Sequence, residues 1–191
     1  MKTELLALVL LMVGFGGSPC NKEKEVKDKE TCTLITTGTQ TFMDKNLVVV
    51  TYRNGDVIPQ VTDQTAWASL TTGAWCHYNN DPANDTIYGK LYNWYAVNDP
   101  RGLAPQGWHI PTSAEWQCFS ISLGGEFVAG GKMKTTGTSR WNSPNTGATN
   151  ESRFAGLPGG YRCGKNSCGG FGMIGWSGYW WSTSEKGSDF A

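Results

Sequence analysis

Apolar and polar positions divide the 191-residue chain near residue 31. Before it, Leu5 to Phe15 is a nearly unbroken apolar run, followed by NKEKEVKDKE at Asn21 to Glu30. Nine of those ten residues are polar and there is no hydrophobic periodicity, so the stretch cannot bury enough apolar surface to fold. After it the pattern changes. TCTLITTGTQTFM, from Thr31, is rich in β-branched residues and predicts strand, turn at Gly38-Thr39, strand. Leu47 to Arg53 is a further strand, and Asn54-Gly55 is a hairpin signal leading into Val57-Ile58. AWCHYNNDPAND, Ala74 to Asp85, has loop composition.

Two helices are expected. In YGKLYNWYAV, Tyr88, Leu91, Tyr92, Tyr95 and Ala96 fall on one helical face, and Asn98-Asp99-Pro100 stops the run. Thr112-Ser113-Ala114-Glu115 is a capping box in which each end satisfies the other's amide, and that helix should run to about Leu123 and stop at Gly124-Gly125. Trp108 on its lead-in should pack between the two helices, and His109 reads as a packed or hydrogen-bonded residue rather than a ligand or base. The remainder reads as loop, with short buried strands at Phe154 to Leu157 and Tyr179 to Ser182 and a glycine-dense stretch, Gly159 to Gly178, between them.

Composition narrows the class. Hydrophobic residues make up 39% of the chain, while Gly (25) and Trp (9) are abundant, which describes a turn-dense domain held by a few large aromatic anchors. Sixteen basic and sixteen acidic residues cancel, so no global field points to nucleic acid. The apolar run has the length of a secretory core and is too short to span a bilayer. Gly16, Gly17 and Ser18 precede Cys20, an arrangement that resembles a bacterial lipoprotein signal, in which the cysteine becomes the acylated first residue. The expected division is a signal peptide at 1–19, a charged tether at 20–31 and a domain at 32–191, exported and held at the outer membrane or cell surface. A plain signal peptide cut near Ser18, giving a secreted protein, is the alternative.

The run YGKLYNWYAVNDPRGLAPQGWHIPTSAEW carries a more specific signal, together with GTQTFM, TYRNGD, LTTGAWCHYNNDPAN, RWNSPNTGATNES, LPGGYR and GYWWSTSE. From roughly Thr33 to Glu185 the chain resembles the Fibrobacter succinogenes major paralogous domain, a family of exported proteins and lipoproteins of Bacteroidetes and Fibrobacteres. The resemblance implies an α+β, C-type-lectin-like fold with two helices, short antiparallel strands and long glycine-rich loops. Family members continue past the WWS motif through further strands and a cysteine. On that comparison the chain looks truncated, Thr33–Phe42 should lack a partner strand, and the lost cysteine is a candidate partner of Cys76 or Cys118. Cys163 and Cys168 could close a small local disulfide.

The family implies no general activity, and three functions are open. The first is a surface binding module for carbohydrate, with Trp141, Trp176, Tyr179 and Trp180 as stacking candidates. Strand alternation requires at least one of Tyr179, Trp180 and Trp181 to be buried. The second is a protein-binding or structural surface module. The third is an oxidase like the formylglycine-generating enzymes, whose copper-binding cysteine spacing Cys163 and Cys168 copy. The Asn79–Asp85 cluster could bind calcium, but an Asx-rich turn explains it more simply. No nucleophile–base pair, phosphate loop or metal set stands out, so no catalytic residue, metal or cofactor is assigned. Polysaccharide or a surface protein is the expected partner, with the membrane reached through Cys20.

Overall fold

A computed structural model describes residues 12–14, 34–37, 40–164 and 170–185, the first two segments as backbone only. Cys20, Cys32, Cys168 and the charged tether lie outside the described residues. The β-branched run folds as the hairpin its pattern predicts. Strand β2 (Leu34–Thr37) pairs antiparallel with β3 (Gln40–Met43) in the register Thr37 to Gln40 and Leu34 to Met43. The other edge of β3 is taken by β1 (Met12–Gly14), with Met12 opposite Phe42, so the three strands lie in the order β1–β3–β2. In the full chain the β3 part of Thr33–Phe42 is therefore paired on both sides, on one of them by residues that the expected signal peptide would remove, while β2 has β3 as its partner on one side. Phe42 is fully buried and packs on Phe119 and Phe154, with ring centroids 4.5 and 5.7 Å away.

The Asn54-Gly55 signal makes a turn: Gly55 has φ of 92°, the Asp56 amide donates to Asn54 Oδ1 at 3.0 Å, and Thr51 bridges Val57. The strand expected over Leu47–Arg53 is reduced to that bridge, flanked by the Ile58 amide on the Val50 carbonyl (2.8 Å), and the Arg53 amide leaves the turn for the Gly102 carbonyl (2.8 Å). Helix α1 (Gln64–Ala68), capped by Asp63, leads to β4 (Trp75–Cys76). Short 3-10 turns at Tyr78–Asn80 and Pro82–Asn84 follow.

The helix expected over Tyr88–Val97 is three elements: α2 (Asp85–Tyr88), β5 (Leu91–Tyr92) and α3 (Trp94–Val97). Gly89, with φ of 73°, ends α2, and a Cβ there would lie 2.7 Å from Asn46 Cβ. Leu91 and Tyr92 then pair with Cys76 and Trp75. Asn93 restarts the helix from a buried position: its Oδ1 accepts the amides of Ala74 (2.9 Å) and Ala96 (3.0 Å), and its Nδ2 donates to the Thr72 carbonyl (2.8 Å). An apolar face at helical spacing arises here because both sides of this segment are buried, not because it is one helix.

The capping box is present. Helix α4 (Ser113–Ser122) has Thr112 as its cap, and Glu115 returns to the Thr112 amide at 2.8 Å. It closes on Gly124 and Gly125, whose amides donate to the Ile121 and Ser120 carbonyls (3.0 and 2.9 Å), the doubled bond of a glycine-terminated helix. Trp108 is half-buried against the main core, and His109 Nε2 meets Glu115 Oε1 at 2.8 Å.

The stretch expected to be loop after Gly125 opens with helix α5 (Glu126–Met133). Its Gly131 serves packing, since a Cβ there would come within 2.4 Å of the Gly147 carbonyl oxygen. The glycine-dense stretch holds β6 (Gly159–Arg162) and β7 (Phe171–Ile174), antiparallel, whereas Phe154–Leu157 and Tyr179–Ser182 are irregular. At Gly160 a Cβ would lie 2.3 Å from the Gly172 carbonyl oxygen. The fold is therefore α+β, with five α-helices rather than two among the described residues, and short antiparallel strands.

Arg162 locks β6 to the opposite side of the domain. Fully buried, it donates to the carbonyls of Val61 (2.6 Å) and Thr62 (2.8 Å) and to Gln64 Oε1 (3.2 Å), between the rings of Trp67 and Phe171. Arg162→Met should cost about 3 kcal/mol, because it strips three hydrogen bonds from partly buried acceptors and removes a buried side chain stacked between two rings, and lower the melting temperature by roughly 10 °C. Arg162→Lys should recover only part of this, one ammonium being unable to span three acceptors. Thermal melts by circular dichroism check both, and a Met variant as stable as the parent would remove Arg162 from this role.

Candidate binding cleft

Three loops and one tryptophan enclose a cavity of about 150 Å³. Its walls are Asp44 to Asn46 with Val48, Asp85 to Ile87 with Gly89, and Phe154 to Leu157, closed by Trp180. Asn46 braces them: its Nδ2 donates to the Tyr88 carbonyl (3.0 Å) and its Oδ1 accepts Trp180 Nε1 (3.1 Å). The Trp180 ring is further held edge-on to Phe154, centroids 5.1 Å apart, and a Cβ on Gly178 or Gly156 would strike it at 2.4 or 3.1 Å. With its N–H committed and its edge clamped, Trp180 offers the cavity a fixed apolar wall.

The floor is charged but compensated. Asp85 Oδ1 takes His77 Nδ1 at 2.7 Å, and Oδ2 takes the Lys90 ammonium, which is buried over the Trp75 ring (4.3 Å to its centroid). Both carboxylate oxygens are thus occupied, and burial without partners would be costly for Asp85 and Lys90 alike. Asp44 and Lys45 bring one charge of each sign to the lining, beside Asn46 and Thr86. The cavity combines an aromatic wall with neutral hydrogen-bonding groups and little net charge.

Of the four aromatic candidates, Trp180 alone lines this cavity. Trp141 is 6% exposed and built into the interior, its N–H donating to Thr135 Oγ1 (3.0 Å) and the Gly156 carbonyl (3.2 Å). Tyr179 is half-buried, edge-on to Tyr161 at 5.4 Å. Trp176, 58% exposed, sits on the turn after β7 and presents an open face away from the cavity walls. Trp181 is the buried member of its trio. Asn46 and Asp44 were missed by sequence reasoning, although Asp44-Lys45-Asn46 is a polar interruption between two apolar runs.

A second cleft, lined by Thr71 to Gly73, Trp94, Tyr95 and Asn98 to Arg101, is already self-satisfied. Arg101 forks onto Asp99 (both bonds 2.8 Å), reaches Asp56 at 3.1 Å and lies over the Tyr52 ring. The Arg101 guanidinium holds the Asp99 carboxyl down at about 2, against the opposing effect of burial. The Asn79–Asp85 cluster is equally consumed: Asp81 caps the Ala83 amide, and Asn80 and Asn84 donate to the Thr62 and Tyr78 carbonyls. Among the described residues no three His, Cys, Asp or Glu side chains converge on a metal position.

Cys163 is disulfide-bonded, and Cys76 and Cys118 are free thiols, the first buried and the second exposed. Burial pushes the Cys76 thiol up to about 11, against the pull of Arg162.

The architecture is that of a small α+β domain whose loops, rather than a regular sheet, build one aromatic-walled cleft. The model of the Fibrobacter succinogenes major domain matches residues 35–191, and the chain belongs to that family. Comparison with curated proteins and with solved structures returned no match. No helix among the described residues is long and apolar enough to cross a membrane.

Two expectations follow from this chemistry. Iodoacetamide should label Cys118 in the folded protein and reach Cys76 only after unfolding, as peptide mapping would read; labelling of Cys76 in the native state would contradict its burial. Because Asp99 titrates lower folded than unfolded, its contribution is complete above the ordinary carboxylate range near pH 4 and is lost as pH falls toward 2. Asp99→Asn should therefore be less stable than the parent at neutral pH, with the gap closing in acid, when melts are compared across that window.

Proposed function

We propose that the protein is an exported, lipid-anchored cell-surface binding module of C-type-lectin-like fold, which takes a neutral carbohydrate in the Trp180 cleft. The observation that carries the reading is the fixed Trp180 wall beside a rim of amide, hydroxyl and oppositely charged groups. A sugar ring presents an apolar C–H face to an aromatic plane and hydroxyls to such a rim. The apolar run ahead of Cys20 and the charged tether support export and anchoring. A binding role is favoured over the oxidase because Cys163 is disulfide-bonded and offers copper no thiolate in that state.

The test is titration of the full chain with plant and microbial polysaccharides, followed by tryptophan fluorescence in calcium and in chelator. A saturable shift with one glycan class, equal in both conditions, is expected. Thr86→Arg, which fills the cleft from an exposed position, should weaken it about tenfold or more, while Trp176→Ala should leave it unchanged. Loss on Trp176→Ala with Thr86→Arg silent would move the site to the β7 turn. No shift with any glycan, from a chain that melts cooperatively, would favour a protein ligand.

A further inference from the structure

Strand β1 fills one edge of β3 with residues from the apolar run Leu5 to Phe15. Met12, Val13 and Gly14 stand opposite Phe42, Thr41 and Gln40, antiparallel, while β2 holds the other edge. That run is the one read as the core of a signal peptide over residues 1–19. Its removal takes β1 with it and leaves β3 a ladder on the β2 side alone.

Contacts from the domain, not from β1, hold β3 in place. Phe42 packs on Phe119 and Phe154, Gln40 Nε2 donates to the Glu115 carbonyl (3.3 Å), and Met43 lies against the main core. Processing therefore leaves a fixed strand that has lost its ladder on one edge, beside a side chain, Phe42, already withdrawn from water. Backbone groups in that position are costly until another strand takes them up. The seated segment shows what chemistry fits, since Leu5 to Phe15 carries no charge. The tether that opens the processed chain is the opposite, with eight charged residues in Asn21 to Glu30. A charge laid opposite Phe42 would lose its water without gaining a partner.

We propose that processing turns the β3 edge into an acceptor site for an extended, uncharged apolar segment of a partner protein, added antiparallel in the place of β1. The proposal rests on the export reading, and within it on removal of residues 1–19 rather than on lipid at Cys20.

The experiment uses the protein recovered from cells that express the full chain, with intact mass reporting its N-terminus. A fluorescent peptide of Val9–Phe15, flanked by lysines for solubility, is titrated against it and followed by anisotropy. Saturable binding is expected, with slowed amide exchange along Thr41 and Phe42. The same peptide N-methylated at Met12 and Val13 is as apolar but cannot donate from those amides, and it should bind about tenfold or more weaker. Equal binding of the two peptides, or binding of neither to a processed chain that melts cooperatively, would overturn the proposal. A dimer of the processed chain that the peptide does not dissociate would also overturn it, in favour of a second copy on the edge. If the processed chain shows no cooperative melt alone, the plain peptide should restore one and the methylated peptide should not; no restoration would count against the proposal as decisively. Residues 12–14 still present in the recovered protein would instead overturn the export reading, and the vacancy with it.

Discussion

Trp181 joins the two halves of the interior. Its indole N–H donates to the Tyr92 carbonyl (3.0 Å), its own carbonyl accepts the Trp116 indole (3.0 Å), and its ring packs on Trp94. Trp94 and Tyr92 belong to the core around β4 and β5, and Trp116 to the smaller cluster of Phe42, Phe119 and Phe154 under α4. The pattern recurs: Trp75 donates to the Ile58 carbonyl and Trp141 to that of Gly156, while Arg162 serves Val61 and Thr62. Strands of two to four residues leave many interior carbonyls without a ladder partner, and buried carbonyls need donors. Indole and guanidinium groups supply them while filling volume. The tryptophan excess is thus a consequence of building a core from loops.

The same constraint separates what was legible in the sequence from what was not. Local signals with local causes read correctly. The Thr112–Glu115 box, the Gly124-Gly125 stop, the Asn54-Gly55 turn and the β2–β3 hairpin depend on residues a few positions apart. Misreadings arose where a distant segment decided the outcome. The stretch after Gly125 reads as loop, yet α5 includes Gly131, a position that must lack a side chain because the Gly147 backbone lies against it. Gly160 and Gly172 look like loop, yet they let β6 and β7 approach each other and the Tyr161 ring. Tyr88 to Val97 carries helical spacing, but β4 claims its middle for a sheet pair.

The cleft was legible only through Trp180. Composition nominates aromatics, and Trp181 is the buried member of the Tyr179–Trp181 trio, although the segment is irregular rather than the alternating strand on which that expectation rested. Nothing local distinguishes Trp180 from Trp141. The difference lies in Asn46, more than a hundred residues away, which takes the Trp180 N–H on the cleft side, whereas Trp141 finds its acceptors inside. A pairing of that sequence separation has no signature in one chain.

Asp85 shows how scaffold and cleft are coupled. A lone carboxylate in the cavity wall would set a negative field there and would favour cations. Lys90 and His77 occupy both of its oxygens, and Lys90 is held in place by the Trp75 ring. Trp75 in turn belongs to the β4–β5 pair and donates to Ile58. The neutrality of the cleft is therefore set by the strand pair that replaced the expected helix. Removing the Lys90 ammonium would expose a buried anion to the cavity and alter which ligands it tolerates before altering the fold around it.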